Sequence, residues 1–199
     1  MIAIVDVCSG NLRSVERALE HVGAEVVVTR DPDVVRRADK IIVPGQGAFG
    51  VFMRELVARD LGGVLRDAIA AGVPYLGICL GLQVLFEHSE EGDVAGLGLL
   101  RGRVVKLTPD RVHKVPHVGW NRIAQRQPVA GLADGAYVYF VHSYHVVPAD
   151  PAIVALETTH GETFCAAIRS ANLLACQFHP EKSQQVGLGM LRAFVETPA

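Results

Sequence analysis

The chain has 199 residues, half of them hydrophobic, with a formal net charge of −2 at neutral pH. That length and apolar content support a substantial core in one domain over 1–199 and exclude a disordered chain. No basic cluster stands out, so nucleic acid is not an expected partner. The apolar start lacks basic residues and is broken by Asp6, so neither a signal peptide nor a membrane span is expected.

The first half alternates strand and helix patterns. Strands are expected over 2–7, 25–29, 40–44 and 73–78. Helices are expected over 12–22, with Asn11 as N-cap, and over 64–71, ending at Gly72. Such alternation implies βαβ units on a parallel sheet, with sites beyond the carboxyl ends of its strands. The second half is strand-rich, over 103–107, 137–141, 153–157, 163–168 and 173–178. A helix returns over 186–195, and the flexible loops are expected over 92–98 and 124–135. The fold class is therefore α/β, with a mainly parallel central sheet and an antiparallel extension.

Four cysteines, Cys8, Cys79, Cys165 and Cys176, fall in no metal-ligand spacing and fit a reducing, cytoplasmic setting. His142 and His145 lie close, but no carboxylate or cysteine completes a ligand set, so no metal is expected. No phosphate-binding loop pattern is present, and no cofactor is expected.

The chemistry concentrates at Gly77-Ile78-Cys79-Leu80-Gly81-Leu82-Gln83. A cysteine flanked as Gly-x-Cys-x-Gly after a buried strand has the form of a nucleophile elbow. The glycines let strand turn sharply into helix, and the helix N-terminus favours thiolate at the exposed side chain. Alone, Cys79 reads more readily as a small buried hydrophobe. A matching base comes 100 residues later, in Phe178-His179-Pro180-Glu181-Lys182-Ser183. In an extended segment, His179 and Glu181 point the same way, so the carboxylate can orient the imidazole. Together with Cys79 they form a Cys-His-Glu triad, whereas His179 alone would read as a strand-end histidine.

The elbow and the His-Pro-Glu run resemble the class I (triad) glutamine amidotransferases. Pro44-Gly45-Gln46-Gly47-Ala48-Phe49, Lys114-Val115-Pro116-His117-Val118-Gly119-Trp120-Asn121, Phe140-Val141-His142-Ser143-Tyr144 and Lys182-Ser183 narrow the resemblance. They are similar to the glutaminase subunits of imidazole glycerol phosphate synthases, over most of the chain. The resemblance implies a flavodoxin-like three-layer sandwich and hydrolysis of glutamine to glutamate and ammonia. It also implies a separate (β/α)8-barrel cyclase subunit that uses the ammonia to make imidazole glycerol phosphate and aminoimidazole carboxamide ribotide. The phosphorylated substrate would bind to that partner.

The oxyanion hole is expected from the Leu80 N–H and the Gly45–Gly47 loop. Alone, that loop reads equally as a strand-to-helix turn; the resemblance makes it the oxyanion strand. Glutamine recognition by Gly47, Gln83, Ser143 and Tyr144 is implied by the resemblance only. Interface candidates are Asn11, His117, Trp120, Tyr139 and Lys182, although the sole tryptophan reads as readily as core. Two departures from the family pattern stand out: Asp6-Val7-Cys8-Ser9-Gly10-Asn11 lacks the usual Tyr-Gly pair, and Gln46 replaces the usual valine. Both bear on activation rather than on the triad. Competing readings are a glutaminase subunit serving another synthase, a non-catalytic regulatory module of the same fold, and a cysteine peptidase.

Overall fold

A computed structural model describes residues 1–8 and 11–198. Ser9 and Gly10, within the departing N-terminal motif, lie outside the described residues. In chain order the elements are β1 (Ile2–Val5), α1 (Leu12–His21), β2 (Val26–Thr29), α2 (Pro32–Arg36), β3 (Lys40–Gly45), α3 (Phe49–Ala58), α4 (Leu61–Ala70) and β4 (Tyr75–Cys79). There follow α5 (Leu80–Gln83), β5 (Phe86–Ser89), β6 (Val94–Ala95), β7 (Leu100–Lys106), β8 (His117–Arg122), β9 (Ala124–Gln125) and β10 (Tyr137–His142). The chain closes with β11 (Tyr144–Pro148), β12 (Val154–His160), β13 (Glu162–Ser170), β14 (Leu173–Cys176) and α6 (Gln184–Glu196). A 3-10 turn over Pro180–Lys182 links β14 to α6.

The central sheet has the order β2-β1-β3-β4-β14-β13-β12-β9. Pairing is parallel from β2 through β14 and antiparallel beyond it, as the two halves of the sequence imply. Successive strand residues face opposite sides, so each strand feeds two cores. Ala3 and Val5, Ile41 and Val43, and Tyr75 face one core with α3 and α4. Ile2, Ile4, Ile42, Leu76 and Ile78 face the other with α1 and α6. The result is a three-layer α/β/α sandwich. A hairpin-like pair, β8 with β10, and a four-stranded sheet, β11-β7-β5-β6, stand beside the carboxyl ends of the parallel strands.

Some local expectations need correction. Asn11 occupies the N-cap of α1 but in left-handed backbone (φ 62°), and its side chain makes no cap hydrogen bond. The loop expected over 124–135 contains β9, which pairs with β12. Within the loop expected over 92–98, Val94–Ala95 forms β6, paired with β5. Helix α5 is a single turn, so its dipole offers little to a neighbouring thiolate; the effect sums over aligned peptides. Among the described residues, no helix is long and apolar enough to cross a membrane.

Candidate active site

Cys79 ends β4 and opens α5 with φ 55° and ψ −106°, a conformation a non-glycine residue adopts only when its surroundings enforce it. The enforcement comes from backbone contact. A Cβ on Gly81 would lie 1.8 Å from the Val43 carbonyl oxygen, and one on Gly77 would lie 2.4 Å from that of Gly81. The elbow therefore packs its own backbone against β3, which only glycine allows. Gly45 stands in register with Cys79 across the β3–β4 pair, bringing the Gly45–Gly47 loop beside the nucleophile.

His179 follows β14 and is 1% exposed. Its Nδ1 lies 2.7 Å from Oε1 of Glu181, whose side chain is fully buried. Because the carboxylate can only accept, Nδ1 carries a proton, and Nε2 is the nitrogen left to exchange a proton with Cys79. Nε2 is buried with no hydrogen-bond partner among the described residues. Burial pushes the imidazole toward neutrality, but Cys79 and Glu181 outweigh it and raise its pKa to about 9. The same Glu181 Oε1 accepts from the Asn11 Nδ2 group. Asn11 thus reaches the triad from α1 instead of capping its own helix.

A cleft of about 390 Å³ opens over Cys79. Of the residues expected to contact glutamine, Gly47, Leu80, Gln83, Ser143 and Tyr144 line it, while Gly45 sits behind it at the end of β3. Gln46 and Lys182 also line it, as does Glu91, which the sequence reading missed. Glu91 accepts a hydrogen bond from the Phe49 N–H at 2.9 Å and so fixes the start of α3 at the cleft wall. No local motif marks it, because the residues it joins are 42 apart in sequence.

The wall beneath the cleft is a directional hydrogen-bond chain. The Tyr144 carbonyl accepts from His142 Nδ1 at 2.9 Å and from Gln83 Nε2 at 3.0 Å. The Asn121 amide nitrogen, set by its bond to the Thr159 carbonyl, lies 3.3 Å from His117 Nε2 and makes it an acceptor. His117 Nδ1 therefore donates to His142 Nε2 at 3.0 Å. Both rings are therefore neutral, and burial drives His117 down to about 4 and His142 to about 3.

This also corrects the expectation for His117 as an interface residue. It is 3% exposed and stacks on Phe140 and His160, with ring centroids 4.8 and 4.1 Å apart. Strand alternation sends its neighbours outward instead. Val118 and Trp120 on β8, and Tyr137 on β10, are exposed. Trp120 is in register with Tyr139, edge to face at 6.0 Å, and Lys182 Nζ lies 5.9 Å from the Tyr139 ring centre. Trp120, Tyr139 and Lys182 thus form one cluster, and Lys182 joins it to the cleft.

A family model described as "Glutamine amidotransferase class-I" matches residues 3–197. The chain is 51% identical to the "Imidazole glycerol phosphate synthase subunit HisH" of Aromatoleum aromaticum, covering 98% of this chain and 97% of that protein. It is 49% identical to the protein of the same name from Rhodopirellula baltica, over 100% and 98% of the two chains. Among solved structures, one titled "Crystal structure of glutamine amidotransferase" superposes with TM-score 0.71 at 17% identity, covering 90% of each chain. "Structure of PurLQS from Thermotoga maritima" does so with TM-score 0.70 at 19% identity, covering 98% of this chain and 94% of that one. At those identities the structural likeness bears on the fold, whereas the family model spans nearly the whole chain. This chain belongs to the class-I glutamine amidotransferase family.

Proposed function

We propose that the chain hydrolyses glutamine to glutamate and ammonia and passes the ammonia to a cyclase subunit. The cyclase would then make imidazole glycerol phosphate and aminoimidazole carboxamide ribotide, in the cytoplasm, in histidine biosynthesis. The observation that carries the activity is the union of a strained Cys79 with the buried His179–Glu181 pair on one cleft. The synthase assignment rests on the full-length relatives named as its subunit.

In this reading the Cys79 proton is held on His179 Nε2, whose pKa is raised to about 9, and the thiolate attacks the side-chain amide carbon of glutamine. The oxyanion is held by the Leu80 N–H and an N–H of the Gly45–Gly47 loop. Leu80 opens α5, so its N–H has no intrahelical acceptor. His179 returns its proton to the departing ammonia, leaving a γ-glutamyl thioester. Water, deprotonated by His179, then releases glutamate. Both amide hydrogens of Gln83 are engaged, by the Tyr144 carbonyl and by Gln177. Its oxygen is left to accept from the substrate α-ammonium, with the Glu91 carboxylate on the same cleft. Ser143 and the Tyr144 side chain complete the substrate wall.

The partner surface is assigned to the face carrying Trp120, Tyr139 and Lys182, beside the cleft mouth. Asn11 is reassigned from partner contact to positioning of Glu181. The experiment is glutamate release by the chain with and without a cyclase subunit and its nucleotide. Release that requires the cyclase supports the assignment; release indifferent to it points to another synthase or a free-standing hydrolase.

A further inference from the structure

Gln177 is fully buried, two residues before His179. In extended backbone that spacing puts both side chains on one side, the side of Cys79. Gln177 Nε2 lies 3.5 Å from the Cys79 sulfur. An amide can present oxygen or nitrogen, so its orientation has to be earned from its partners. Here a backbone carbonyl dictates it. The Tyr144 oxygen can only accept, so the nitrogen of Gln83 faces it, at 3.0 Å. That same nitrogen lies 2.9 Å from Gln177 Oε1. With its oxygen held there, Gln177 can offer only N–H to the sulfur.

We infer that Gln177 is a further catalytic group: its carboxamide, locked by Gln83 and the Tyr144 carbonyl, donates a hydrogen bond that stabilises the Cys79 thiolate. The inference rests on the triad reading and adds to it a second source of thiolate stabilisation besides the imidazolium. It supplies what the single-turn α5 cannot. When His179 takes the Sγ proton, the sulfur keeps the electron pair and accepts from Gln177. The bond weakens as the S–C bond forms and the sulfur loses its charge. It forms again when the thioester breaks and thiolate leaves.

In general, a hydrogen bond to a thiolate raises thiolate abundance and lowers its nucleophilicity, which falls with only about 0.4–0.5 of the change in pKa. Abundance therefore wins below the titration midpoint, and intrinsic reactivity wins above it. The two effects give Gln177 a signature that a packing role lacks.

The test is the rate of Cys79 alkylation by iodoacetamide against pH, in the full-length chain. Peptide mass mapping separates Cys79 from the half-buried Cys8. For Gln177→Met the midpoint is expected about one pH unit more alkaline, the scale of one hydrogen bond to a charged group. The rate at neutral pH is expected to fall about threefold while the alkaline plateau rises about threefold. Gln177→Glu keeps the acceptor that Gln83 needs and replaces the donor by a carboxylate oxygen, so its midpoint should move at least as far. If Gln177→Met does not fold, as thermal unfolding would show, Gln177→Glu decides alone. An unchanged midpoint with a lowered plateau overturns the inference and leaves the triad standing. A wild-type Cys79 with no pH-dependent reactivity overturns both.

Discussion

Asn11 and Glu181, 170 residues apart, meet through one oxygen: Oε1 of Glu181 accepts from both the Asn11 amide and His179 Nδ1. Asn11, at the start of α1, is thereby tied to the base of the triad. Replacing Asn11 with Ala removes a hydrogen bond to a buried carboxylate, worth about 1.5–3 kcal/mol. The expected result is a fall in kcat of about ten-fold or more with KM little changed, measured as cyclase-coupled glutamate release. A change confined to KM would show that Asn11 acts elsewhere.

The elbow glycines set a steric limit. Gly81→Ala would drive a methyl into the Val43 carbonyl, and Gly77→Ala into that of Gly81. Each should destabilise by about 1–3 kcal/mol or more, read by denaturant unfolding, and should lower Cys79 alkylation at every pH. Gly47→Ala offers a contrast: its Cβ meets nothing, yet its φ of 98° disfavours any side chain. It should lose about 1–3 kcal/mol of stability to backbone strain, or escape that cost by relaxing the loop and losing glutaminase activity.

The buried histidines make stability depend on acid. His117 and His142 stay neutral in the folded chain down to about 4 and about 3, whereas an unfolded histidine titrates near 6.5. Their folded values are depressed, so their contribution is fully present above about pH 6.5 and is lost as pH falls toward the folded values. His117 and His142 should add up to two protons to the uptake on unfolding in that window, with His145, also lowered by burial, adding to it and His179 opposing it near pH 7, measured from denaturation midpoints between pH 7 and 5. His117→Gln should reduce that uptake by one. His179 has the opposite sign. Its pKa, raised to about 9, gives a contribution that is full below about 6.5 and lost as pH rises through about 9.

The exposed face of β8 and β10 is open to a direct binding test. Trp120→Ala should cost the free chain about 0.5–1.5 kcal/mol, the scale of its edge-to-face pair with Tyr139, and leave it folded. It should weaken cyclase binding by about 2 kcal/mol, or about thirty-fold in Kd, by titration calorimetry. Unchanged affinity would move the docking surface away from this strand pair.

What was legible in the sequence follows from the range of the interactions. Expected strands over 2–7, 40–44 and 73–78 appear as β1, β3 and β4 with ends shifted by a few residues, because continuous apolar runs mark strands buried on both faces. The elbow and the His-Pro-Glu run were legible because their geometry is local. Helix α3 has Phe49, Phe52, Met53 and Leu56 at helical spacing but lacks a start signal, with no side-chain cap and no acidic residue in its first turn. Strand β8 is hard to see in sequence because polar and glycine residues, His117, Gly119 and Asn121, occupy its less exposed positions while Val118 and Trp120 face out. His117, a polar residue expected at the interface, faces inward. Gln177, Glu91 and the Asn11–Glu181 bond depend on contacts between distant segments, which no local pattern records.

The central claim is that Cys79, His179 and Glu181 together hydrolyse glutamine for a cyclase subunit. The most direct measurement is glutamate release from glutamine by the chain with that subunit and its nucleotide ligand, beside Cys79→Ala. The account predicts release that depends on the cyclase and is abolished by the substitution. Release that survives Cys79→Ala, or none in the complete assembly, would contradict it.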